Sequence, residues 1–126
     1  ALRLLQDPAA LAFRLEKLDD LQTLLSSSRV NKFSYAEKLA SEKDGLRDTL
    51  LLWLSYWRDV LLRAGGSSAP PANIDRSGEI DALAQRLPLA DSRRLVSGLE
   101  QALTQLDANV NPRLLTEALL LDWPKA

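Results

Sequence analysis

Between Gly45 and Gly66, apolar residues recur at Leu46, Leu50, Trp53, Leu54, Trp57, Leu61 and Ala64. This spacing of three and four draws one continuous stripe along a helix of about five turns. Leu51, Leu52, Tyr56, Val60 and Leu62 widen the apolar arc beyond the ~100° that a helix resting on one surface needs, so the helix is expected to have neighbours on several sides. Trp53 and Trp57 sit one turn apart on it. Each can bury about 150–250 Å², on the order of 4–6 kcal/mol as an upper bound, which places them in a core rather than a ligand cage. Gly45 precedes the run and Gly65-Gly66 follows it, the pair supplying the left-handed residue with which many helices end.

The same period runs through the rest of the chain. Asp7-Pro8 reads as a cap followed by proline at the first helical position, where its missing N–H costs nothing. Leu11, Leu15, Leu18, Leu21 or Gln22, and Leu25 then keep helical spacing up to Ser26-Ser27-Ser28, predicting a helix over 8–28 with Ala9, Phe13 and Leu24 off the main stripe. Asn31 is expected to cap a shorter helix over 32–42, with Phe33, Ala36, Leu39 and Ala40 inward and Lys32, Glu37 and Lys38 outward. After the central helix, Gly65 to Asn73 is rich in glycine, serine and proline and reads as a flexible loop inside one domain.

Asp75 or Ser77 is the expected cap of a helix over 77–87, with Ile80, Leu83, Ala84 and Leu87 on one edge and Pro88 as its stop. A fifth helix over 90–107 presents Leu95, Leu99, Ala102, Leu103 and Leu106. Gly98 in its interior costs about 1 kcal/mol relative to alanine, which suggests the close approach of another helix. Asn111-Pro112 repeats the cap-plus-proline signal and opens a last helix over 112–122, ringed by Leu114, Leu115, Ala118, Leu119, Leu120 and Leu121 and closed by Pro124. No repeat at a fixed period is present, which argues against a solenoid.

Composition fixes the class. The 126 residues suit one domain, and 29 leucines against 6 valines and isoleucines favour helices over strands. The fold class is therefore all-α, a bundle of about six helices over residues 1–126. With 16 basic and 17 acidic side chains and a net charge of −1, no overall field attracts nucleic acid or an anionic membrane. No cysteine and no histidine are present, which removes disulfides, thiolate chemistry, imidazole catalysis and the commonest metal sites. No apolar run reaches the length of a membrane span and the first residues lack a signal-peptide pattern, so the expectation is a soluble protein. The absence of any methionine suggests an excised piece of something longer.

The chemistry-bearing patterns are few. Gly65-Gly66-Ser67-Ser68 lacks the lysine of a phosphate loop and follows a helix instead of preceding one, so it reads as a helix stop. Asp19-Asp20, and Glu42 with Asp44, read as solvated charge rather than an acid–base pair. Arg93-Arg94, Lys32, Lys38, Lys43 and Arg63 are scattered among acids without interleaved aromatics, so no nucleic-acid surface is expected; no motif calls for a small-molecule substrate or a cofactor, and none is expected. The candidate subunit-interface residues are Tyr56, Arg58, Asp59 and Leu120. Tyr56 is the aromatic best suited to an interface. Arg58 and Asp59, set among apolar residues, either pair with partners or form a plain surface edge.

Three segments carry a resemblance: Leu50-Leu51-Leu52-Trp53-Leu54-Ser55-Tyr56-Trp57-Arg58-Asp59-Val60-Leu61-Leu62; then Asn73-Ile74-Asp75 with Ile80-Asp81-Ala82-Leu83-Ala84; then Asn109-Val110-Asn111-Pro112 through Leu121. Together they are similar to the C-terminal domain of the delta-prime subunit of the bacterial DNA polymerase III clamp loader. The segment from Asp7-Pro8 onward also resembles that subunit's first collar helix, and the last helix alone resembles the paralogous gamma/tau subunits as well. The resemblance implies a helical collar domain at the C-terminal end of a longer chain. There it would join the C-terminal domains of gamma/tau and delta in a ring of five, and that ring supports loading of a sliding clamp on primed DNA. It carries over no catalytic residue, cofactor or metal, because the ATPase-like and zinc-binding portions of that subunit have no counterpart in this sequence. Surplus leucine on several helices independently suits an oligomerisation domain, whose extra apolar faces need a second chain. It suits equally a stand-alone helical adaptor gripping a partner's amphipathic helix.

Overall fold

The computed structural model describes residues 7–124, apart from the side chains of Lys43 and Asp44. Six helices follow in order: α1 (Pro8–Leu25), α2 (Arg29–Ala40), α3 (Lys43–Ala64), α4 (Ser77–Arg86), α5 (Leu89–Asp107) and α6 (Pro112–Leu121), with a 3₁₀ turn at Ile74–Arg76 leading into α4. No strand occurs among the described residues, and the all-α class stands.

The central helix is α3. It packs most extensively on α5 and then on α4, α1 and α2, while α6 lies against α2 and α5. Leu46, Leu50, Trp53, Leu54, Tyr56, Trp57 and Val60 are buried along it, as the wide apolar arc requires. Leu51 and Leu62 are exposed, so the arc is not covered all round. Around α3 the core gathers Leu18, Leu21, Leu24 and Leu25 of α1, Ala36 and Leu39 of α2, Ile80 and Leu83 of α4, Leu95, Leu99 and Ala102 of α5, and Leu115, Leu119 and Leu120 of α6.

Local chemistry explains most of the boundaries. Asp7 caps α1 as expected, Oδ1 accepting from the N–H of Ala9 at 3.0 Å and of Ala10 at 3.3 Å. Asn111 does the same for α6, accepting from Arg113 at 2.9 Å and Leu114 at 3.2 Å. Gly66 takes φ +89, and the Ser67 N–H closes back on Leu62 O at 3.0 Å. At the end of α5, Asn109 takes the left-handed role with φ 62, and the Val110 N–H reaches Gln105 O at 3.0 Å. Leu87 is extended, as the residue before Pro88 must be, and α4 stops there.

Other boundaries correct the sequence reading. The helix predicted to 28 ends at Leu25, because the serine run divides its work. The Ser26 and Ser27 hydroxyls bond Thr23 O, while Ser28 caps α2 by accepting from the Asn31 N–H at 3.2 Å. Asn31 is therefore inside α2 and not its cap. On α2, Phe33 is more than a third exposed and Lys32 is buried, the reverse of the expected sides; Lys32 Nζ donates to Trp123 O at 3.3 Å. The central helix begins at Lys43, ahead of Gly45, with the Leu46 N–H on Glu42 O at 2.8 Å. Neither Asp75 nor Ser77 caps α4, because the 3₁₀ turn feeds directly into it and leaves Asp75 to bind Arg14. Gly98 is not forced by a close approach: an added Cβ would lie 3.7 Å from Leu119 Cδ1, an ordinary contact.

Candidate functional site

The four residues singled out as interface candidates occupy different surroundings. Tyr56 and Leu120 are fully buried. Tyr56 Oη accepts from Gln22 Nε2 at 2.6 Å and donates to Glu79 Oε1 at 3.4 Å, tying α3 to α1 and α4. Burial, and then the neighbouring Glu79 carboxylate, push its pKa well above the usual tyrosine value. Arg58 is exposed and donates to Glu100 of α5 at 3.2 Å. Asp59 is buried toward the C-terminal end of α3, and three N–H groups converge on its carboxylate: Ala72 N–H and Asn73 N–H, both at 2.9 Å, and Asn73 Nδ2 at 2.8 Å.

A carboxylate so deep in a helix needs such partners, since an ionised group left bare in an apolar surround is costly. The glycine- and proline-rich stretch after α3 is therefore fastened where it meets Asp59. Asn73 extends the network: its Oδ1 accepts from Arg14 Nη2 at 2.8 Å, and the same guanidinium grips both oxygens of Asp75 at 2.7 and 2.8 Å. The Arg14 hydrogen bonds hold the Asp75 carboxyl below the ordinary aspartate range. Nothing in the sequence pattern pairs Arg14 with Asn73 and Asp75, because the link depends on α1 lying beside the loop.

Several other acids and bases are likewise committed to the fold. Asp19 pairs with Arg76 at 2.9 Å and Asp20 accepts from Tyr35 Oη at 2.7 Å. Glu42 lies 3.7 Å from Lys17, while the Asp44 side chain falls outside the described residues, as does that of Lys43. Arg94 bridges Asp91 at 2.9 Å and Asp122 at 3.0 Å, and Arg63 meets Asp81 at 2.9 Å. Among the described residues no group of three or more acidic, histidine or cysteine side chains could hold a metal ion, and no helix is long and apolar enough to cross a membrane.

What the surface does offer is apolar. Leu51 and Leu62 stand on the outer side of α3 with Arg58 between them, one stripe by helical spacing. On the packed pair α2 and α6, Val30, Phe33, Leu114 and Leu121 are exposed, and Arg113 of α6 reaches Glu37 of α2 at 3.7 Å. A cleft of about 430 Å³ opens between α1 and α3, lined by Ala10, Phe13, Arg14, Asp48 and Leu52. Exposed leucine, valine and phenylalanine in groups on a small helical domain are the chemistry of protein association.

Compared with known proteins, residues 8–125 match the family described as DNA polymerase III, delta subunit, C terminal. No curated protein and no solved structure matches the chain significantly.

Proposed function

Because this chain belongs to the family of C-terminal domains of the DNA polymerase III delta subunit, we propose that it is a non-catalytic assembly domain of a bacterial clamp loader, of the delta-prime type. In this reading it works in the cytoplasm, joining the C-terminal helical domains of gamma/tau and delta in a five-membered collar that supports clamp loading during replication. The observation that carries the reading is the family match across all six helices. The delta-prime assignment rests on the order and spacing of the Trp57-Arg58-Asp59 helix and the Asn111 to Leu121 helix in the sequence.

The surface supports it in physical terms. A member of a ring has two neighbours, and six of the exposed large apolar side chains lie in two places, Leu51 and Leu62 on α3 and Val30, Phe33, Leu114 and Leu121 on α2 and α6, while Leu15, Ile74 and Val110 stand apart from them. Each group would be covered by one neighbour, with Arg58 supplying a charged contact within the first. Tyr56, Asp59 and Leu120 then act from inside, by fixing the helices that carry these faces.

The test is co-elution of the chain, at micromolar concentration, with the C-terminal domains of gamma/tau and of delta. Binding to both, weakened separately by Leu62→Glu and Leu114→Glu, is the expected result. Failure to bind either domain overturns the proposal and turns attention to a helical adaptor with another partner.

A further inference from the structure

The first half of α1 has little purchase on the core. Every buried residue of α1 lies from Lys17 onward, and none of the partly buried apolar residues packed against the core comes from Ala9 to Glu16. Phe13 instead faces the cleft that separates this half-helix from α3. The loop from Gly65 to Asn73 is equally poor in core contacts, Asn73 being its one buried residue among those described. Both are weakly anchored segments that open locally at low free energy unless specific contacts hold them.

The contacts that hold them are shared. Arg14 donates to Asn73 Oδ1 at 2.8 Å and forks onto Asp75 at 2.7 and 2.8 Å. Asn73 in turn is pinned to Asp59 of α3 by its backbone N–H at 2.9 Å and its side-chain amide at 2.8 Å. Besides the contact of Phe13 with α3 near Gly45, the half-helix is thus tied to the rigid centre of the bundle by way of the loop, and the loop is braced from outside by the half-helix. The Asp19 to Arg76 pair at 2.9 Å belongs to the second half of α1, which the core already holds.

We propose that the first half of α1 and the loop between α3 and α4 form one coupled latch, with Asp59 as its fixed post and Asn73 as the hinge pin between them. Opening either segment breaks hydrogen bonds that hold the other, so the two open together and uncover the walls of the cleft at Phe13 and Leu52. A contact that pulls on the loop is thereby felt at the first turns of α1, although Arg14 and Asn73 stand 59 residues apart in sequence.

Amide hydrogen exchange on the whole 126-residue chain tests it. In Asp59→Asn, which does not touch α1, exchange is expected to rise about tenfold or more both at residues 72–76 and at residues 11–16, while Leu18 to Leu25 keep their rates. Acceleration confined to residues 72–76 overturns the coupling. Should Asp59→Asn fail to fold, Arg14→Gln reads the link from the other side: faster exchange at the Ala72 and Asn73 amides supports it, and wild-type rates there overturn it.

Discussion

The indole of Trp123, just beyond the end of α6, lies 5.0 Å from that of Trp53 on α3, edge against face at 65°. A second edge contact joins Trp123 to Trp57 at 5.8 Å and 74°. Trp53 also donates its Nε1 hydrogen to Lys17 O of α1 at 2.9 Å, so the cluster binds the last element to the central helix and the central helix to the first. Trp123 is almost wholly buried and its carbonyl accepts from Lys32, which explains why that lysine turns inward on α2.

Trp123→Ala removes one side of this cluster and leaves a void against both remaining indoles. The expected loss is about 3–5 kcal/mol, visible in urea unfolding as a lowered midpoint. The near-ultraviolet circular dichroism of the folded protein should weaken as well, because the coupled indoles are its main source.

Both tyrosines of the chain are held neutral in the fold. Burial, then the hydrogen bond to Asp20, raises Tyr35, and burial, then Glu79, raises Tyr56. A raised folded pKa means that the stabilisation is complete below the unfolded value of about 10 and is lost as the pH climbs above it. Tyrosinate absorbance should therefore stay flat through about pH 10 and then rise together with the loss of helical signal. A tyrosine titrating at an ordinary value while the helices persist would contradict the packing around Tyr35 and Tyr56.

Asp75 has the opposite sign. The Arg14 fork lowers its folded pKa, so its contribution is present above the ordinary carboxylate value and disappears as the pH falls through the lowered one. Carbon NMR titration of the Asp75 carboxyl should give a midpoint below about 3.9, and Arg14→Gln should return it upward. An unchanged midpoint in the variant would mean that the fork is not formed in solution.

Gly98→Ala is expected to stabilise the protein by about 0.5–1 kcal/mol, since alanine is the better helix former and the new methyl meets Leu119 Cδ1 at ordinary contact distance. Thermal unfolding measures the gain. A loss of stability would show that α5 and α6 approach more closely than this geometry allows.

Local pattern was enough for the class, the number of helices and, for most of them, the face turned inward, because leucine at three- and four-residue spacing has one low-energy arrangement and that arrangement is local. It was enough also for the caps at Asp7 and Asn111 and the stop at Gly66, where the bonding partners sit within a few residues. Phe33 and Lys32 were beyond it: Ala36 and Leu39 turn inward as their spacing requires, but Lys32 joins them because Trp123, from the other end of the chain, offers its carbonyl.

Which polar residues matter emerged from long-range packing. Asp59 reads as an interface candidate in the sequence because a charge amid leucines has no local partner, and it becomes the post of a loop once Ala72 and Asn73 are folded against it. Arg14 and Asp75 show no relation until α1 crosses beside the 3₁₀ turn. Leu62 and Leu114 differ from Leu54 and Leu115 only in which side of a helix the neighbours leave open. Periodicity records that a residue is apolar, whereas burial depends on what the rest of the chain brings to cover it.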